Sequence, residues 1–90
     1  MTPKALRRIA EQIDAHLKRF ETDPVINALQ LRGGMNVRPF FHAQATATRQ
    51  YLTVKYVDYQ GTTKLTPEDA ERYLARLDAG FVGTHFDAFR

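Results

Sequence analysis

The chain is predicted to fold as a small α+β domain in the order α-(α)-β-β-(β)-α. An antiparallel hairpin or three-stranded sheet would carry its helices packed on one face. Three observations lead there. Apolar residues recur at steps of three or four near the N-terminus and again over residues 66–80. The middle of the chain switches to a period of two. Glycine-containing stretches, "RGGMN" and "QGTT", separate these segments. A length of 90 residues makes one domain, 1–90, that buries roughly 60–65% of its unfolded surface.

Residues 2–20 read as an amphipathic helix. Thr2 is a capping residue, Pro3 suits the first helical position, and Leu6, Ile9, Ile13, Leu17 and Phe20 form the apolar stripe. Asp14 and Lys18 stand in favourable (i, i+4) register on the polar side. "ETDPVINALQL" suggests a second short helix, capped by Asp23 with Pro24 leading in, and the paired glycines of "RGGMN" end it. In "VRPFFHAQATAT", Val37, Pro39, Phe41, Ala43, Ala45 and Ala47 share one face, leaving Arg38, Phe40, His42, Gln44, Thr46 and Thr48 on the other. The alanine side is thin, so a helix is expected to pack closely against it.

"YLTVKYVDYQ" alternates Leu52, Val54 and Tyr56 with Tyr51, Thr53, Lys55, Val57 and Tyr59. Its β-branched and aromatic content supports a second strand, joined to the first by a tight turn near Thr48 to Gln50. "TKL" is a candidate third strand. "TPEDAERYLARLDAG" then carries every helix signal: Thr66 as cap, Pro67 at the first position, and Glu68 and Asp69 against the helix dipole. Ala70, Tyr73, Leu74 and Leu77 are its expected buried stripe, and Gly80 its stop. Phe81 falls where a hydrophobic contact back to the last turn is expected, which makes Phe81 and Val82 core residues. Phe86 and Phe89 are either docked on the sheet or exposed to a partner.

Several chemistries find no residues to perform them. The chain has no cysteine, so no disulfide framework, Cys-based zinc site or thiol nucleophile is expected. It has no serine, which removes a Ser-His-Asp triad. His16, His42 and His85, even with Asp87, match no metal-ligand spacing, so neither metal nor cofactor is expected. "RGGM" lacks the lysine and hydroxyl residue of a phosphate loop. The chain is therefore expected to be no enzyme. Its N-terminus carries charges throughout and no apolar run nears the roughly 20 residues of a membrane span, so a cytoplasmic protein without membrane partners is expected.

Charge distribution says more than the net value of +3. Between Asp23 and Asp58 there is no acidic residue, while Arg32, Arg38, Arg49 and Lys55 all fall there. Cations and aromatics interleave over the hairpin, and the candidate binding residues are Arg38, Phe40, His42, Arg49, Tyr51, Lys55 and Tyr59, extended by Phe86 and Phe89. Such a face can anchor a protein interface through its aromatics or stack bases and neutralise phosphates. The same aromatics would also serve to cover a second sheet face or to form a homodimer.

The α-β-β-β-α order resembles that of double-stranded-RNA-binding domains, over "YLTVKYVDYQG…TPEDAERYLARL". That family places lysines at the start of its last helix to grip phosphate. Here the same place reads "TPEDAE", whose three carboxylates repel phosphate. The strand-strand-helix segment is also similar to arm-type DNA-binding domains of phage integrases. In size and lack of catalytic chemistry the chain resembles accessory proteins of phages and mobile elements, including anti-CRISPR inhibitors. The expected function is binding to a partner protein or protein–nucleic-acid complex. Direct nucleic-acid binding through the basic hairpin and service as a structural subunit are the alternatives.

Overall fold

The structure, a computed structural model, describes residues 1–25, 43–56 and 62–82. They form an α+β unit in the order α1 (Pro3–Thr22), β1 (Ala43–Ala47), β2 (Leu52–Tyr56), β3 (Thr62–Leu65) and α2 (Pro67–Asp78). The strands make an antiparallel sheet in the order β1-β2-β3. Helix α1 packs against β1, and α2 packs alongside α1. The two helices run parallel, because their N-terminal turns lie together while His16 of α1 meets Asp78 at the end of α2.

Each helix starts as its sequence dictates. Thr2 Oγ1 accepts the Ala5 N–H at 3.1 Å and Thr66 Oγ1 accepts the Asp69 N–H at 3.2 Å, each hydroxyl satisfying a donor that the first helical turn leaves free. Helix α2 ends in a Schellman motif: the Gly80 N–H donates to the Leu77 carbonyl at 3.1 Å and the Phe81 N–H to that of Arg76 at 2.9 Å. Gly80 takes φ +104° there, which a side chain would strain. Phe81 and Val82 are half-buried against the core, as their position after the stop predicts.

Helix α1 runs on through Thr22, so Glu21 and Thr22 belong to it and not to a second helix. Asp23 closes α1 through its N–H to the Arg19 carbonyl, and its carboxylate accepts the Val25 N–H at 2.9 Å. Pro24 and Val25 are helical directly after that cap, as the Asp23–Pro24 signal predicts, and the rest of the expected second helix lies outside the described residues.

One core fills the space between the helices and the inner sheet face. Leu6, Ala10, Ile13, Leu17 and Phe20 of α1 meet Ala43, Leu52, Val54 and Leu65 of the sheet and Ala70, Tyr73 and Leu77 of α2. Two positions depart from the expected stripes. Ile9 is only half-buried and Ala10 takes its place inside; Ile9 sits at the flank of α1, beside Pro67. Small residues at Ala10, Ala43, Ala45 and Ala47 let helix and strand approach closely, so the helix turns its alanine inward. Leu74 is likewise half-buried, because α2 centres its contact on Ala70, Tyr73 and Leu77.

Candidate functional site: the outer face of the sheet

Strand register decides which side chains stand together. Pairing sets Ala45 opposite Val54, Ala47 opposite Leu52 and Leu52 opposite Leu65, so these residues share the inner face. The outer face therefore carries Gln44, Thr46 and Thr48 from β1 and its exit, Tyr51, Thr53 and Lys55 from β2, and Thr62 and Lys64 from β3. Gln44, Thr46, Lys55, Thr62 and Lys64 are exposed, and Tyr51 and Thr53 are half-buried. No helix among the described residues covers this side.

The hairpin that organises the face turns without glycine. Arg49 and Gln50 form its tip, and no residue but Gly80 has positive φ among the described residues. Hairpin turns with negative φ splay their strands, and glycine or asparagine normally corrects this. Here Thr48 closes the turn. Its N–H donates to the Tyr51 carbonyl at 2.8 Å, its hydroxyl lies 2.9 Å from the same carbonyl, and the Tyr51 N–H points to Thr48 Oγ1 at 3.2 Å. Tyr51 is thereby held at the mouth of β2, with its ring on the outer side.

Lys64 reaches that ring. Its Nζ lies 4.8 Å from the Tyr51 centroid, within cation–π range. Lys64 stands directly opposite Thr53 on the neighbouring strand, one step along the face from Tyr51. Lys55 lies four residues beyond Tyr51 on the same strand, about 13 Å away at strand rise. Arg49 is exposed at the hairpin tip. The described outer face thus combines two lysines, an aromatic ring, hydroxyls and an amide, with an arginine at one end and no carboxylate.

Tyr51 and Lys55 therefore stand on one side of the sheet, as alternation predicts, and Arg49 is exposed at the adjoining hairpin tip. Arg38, Phe40, His42, Tyr59, Phe86 and Phe89 lie outside the described residues. Gln44 and Thr53 stand on this face as the alternation of their strands predicts. Lys64 joins it without having been singled out from sequence; its signal was the alternation of β3, which is legible only once its pairing with β2 is known.

Elsewhere charge serves the helices. His16 Nε2 contacts Asp78 Oδ1 at 2.8 Å, and Arg19 Nη1 lies 3.4 Å from His16 Nδ1. A guanidinium only donates, so Nδ1 accepts and the Nε2–H donates to Asp78. His16 is thus a clasp between α1 and α2. No group of three His, Cys, Asp or Glu side chains able to hold a metal occurs among the described residues. The first turn of α2 bears Glu68 and Asp69, with Asp69 paired to Arg72, so this helix start offers no phosphate grip. Ala5, Ile9 and Pro67, with Arg8, Glu68 and Glu71, line an open groove of mixed charge between the two helix starts. No helix among the described residues is long and apolar enough to cross a membrane. No protein-family model matches the chain, and no curated protein or solved structure matches it either.

Proposed function

We propose that the protein acts by binding, and that it seats an anionic partner surface on the outer face of its sheet. One observation carries this reading: the described outer face presents Lys55, Lys64 and nearby Arg49 without a single carboxylate. Like-signed charge on a rigid sheet raises the local concentration of anions and speeds their encounter. Strand pairing fixes the backbone spacing of these positions, and Thr48 fixes the end of the hairpin. Tyr51 adds apolar area that a purely electrostatic surface would lack.

Retention on immobilised heparin, a generic polyanion, tests the reading. The double variant Lys55→Glu/Lys64→Glu should elute at clearly lower salt than wild type. Arg7→Glu/Arg8→Glu, on the solvent side of α1 away from the sheet, alters net charge equally and should elute near wild type. The opposite ranking would move the anion site to α1 and refute the proposal.

A further inference from the structure

We infer that the anionic partner is single-stranded nucleic acid, lying across the hairpin with a base against Tyr51 and phosphates at Lys64 and Lys55. This rests on the preceding reading of the outer face and names its ligand. Acidic protein surfaces and nucleic acids both present dense negative charge. The composition of the face separates them. Protein interfaces centre on a cluster of apolar and aromatic anchors ringed by polar residues. Here the described face holds one aromatic, and the rest is threonine, glutamine and lysine. A surface for single strands needs this mixture: a ring for a base to stack on, cations along the backbone path, and small polar groups for sugars and base edges.

The pairing of Tyr51 with Lys64 strengthens the case. The Lys64 ammonium lies over the Tyr51 ring, 4.8 Å from its centroid, so a base stacking on that face takes its place and leaves the positive charge at the edge of the stack. A base stacked on Tyr51 would carry its own phosphate past that ammonium. Lys55 and Lys64 stand on adjacent strands and diagonal to one another, since Lys55 pairs with Thr62 and Lys64 with Thr53. Diagonal neighbours are about 7–8 Å apart, a separation suited to successive phosphates of an extended strand. Duplex is disfavoured at the helices, because Glu68 and Asp69 in the first turn of α2 repel a second phosphate backbone.

Fluorescence anisotropy of labelled single-stranded DNA and RNA oligonucleotides of about 12 nucleotides, within the usual site sizes for such surfaces, provides the test. The matching duplex serves as comparison, over about 50–200 mM salt. Wild type should bind the single strands more tightly than the duplex. Lys55→Ala/Lys64→Ala should flatten the log–log salt slope by about 1.4, two contacts at roughly 0.7 each. Tyr51→Leu should weaken binding roughly tenfold with the slope unchanged, as loss of stacking does, and Tyr51→Phe should bind like wild type. The lysine variants lie on the surface and keep the test decisive should Tyr51→Leu fail to fold. Heparin retention that depends on Lys55 and Lys64 without oligonucleotide binding would overturn the nucleic-acid assignment, leaving the anion-binding face intact and an acidic protein as its partner. Tighter binding to duplex, or a salt slope unmoved by the lysine variants, would overturn it equally.

Discussion

Replacing Asp14 should loosen the edge of the sheet, and the size of the effect follows from one hydrogen bond. Asp14 Oδ1 accepts the backbone N–H of Ala45 at 3.1 Å, from helix to strand. The hairpin closes with the Thr48 N–H on the Tyr51 carbonyl, so alternation along the ladder turns the Ala45 N–H away from β2. β1 is an edge of the described sheet, and its outward N–H would otherwise lack a strand partner. Asp14 supplies the acceptor from α1 and holds Lys18 Nζ at 3.4 Å with its other oxygen. A hydrogen bond to a charged acceptor contributes about 1.5–3 kcal/mol, and the 24% exposure of the Asp14 side chain places this one toward the lower end. Losing the Lys18 pair adds about 0.3 kcal/mol. Alanine regains about 0.5 kcal/mol of helix propensity. Asp14→Ala should therefore cost about 1–2 kcal/mol, a fall in melting temperature of about 5–15 °C for a domain this small. Asp14→Asn, which keeps an acceptor, should recover part of the loss, and Lys18→Ala should cost under about 0.5 kcal/mol. Thermal melts measure the first quantity. Amide hydrogen exchange at Ala45 measures the local one and should accelerate in Asp14→Ala. A variant that melts with wild type and protects Ala45 equally well would refute the edge lock.

Two further perturbations test the packing of α2. Leu77→Ala should cost about 2–4 kcal/mol, as fully buried leucine truncations do, while half-buried Leu74→Ala should cost about half as much; equal denaturant midpoints for the two would contradict the helix rotation described. Gly80→Ala should destabilise by about 1–2 kcal/mol through backbone strain alone, since a Cβ there meets nothing within 4 Å; an unchanged melting temperature would deny the left-handed stop.

The local signals were legible because they act over a few residues. Thr2 with Pro3 and Thr66 with Pro67 place both helix starts to the residue, and Gly80 with Phe81 places the stop. Alternation assigned Tyr51 and Lys55 to the side opposite Leu52 and Val54, and the paired strands keep them there. What the sequence hides is pairwise. Ile9 and Ala10 both fit an apolar stripe, and only the closeness of the alanine-faced β1 decides which turns inward. Lys64 becomes a neighbour of Tyr51 because β3 pairs with β2 in one register, and a slip by one residue would reverse its face. Asp14 reads from sequence as half of a surface ion pair; its main partner is a backbone amide 31 residues away.

The separation of charge by element is the observation that sets the outer face apart from the rest of the described surface. Every carboxylate among the described residues belongs to a helix or to a helix cap: Glu11, Asp14, Glu21 and Asp23 on α1, and Glu68, Asp69, Glu71 and Asp78 on α2. The cations are not so confined, for Lys4, Arg7, Arg8, Lys18 and Arg19 share α1 with those acids while Lys55 and Lys64 stand on strands without them. Solubility alone would be met by charges of either sign on the strands, and edge protection of β3 by one lysine at its rim. Neither requirement places Lys55 on central β2, nor Tyr51 half-open beside Lys64. Outer-face pairs contribute only about 0.2–1 kcal/mol each to a sheet, so stability constrains their identity far less than that of the inner face. The cation–aromatic arrangement found there is the observation on which the proposed anion-binding role rests.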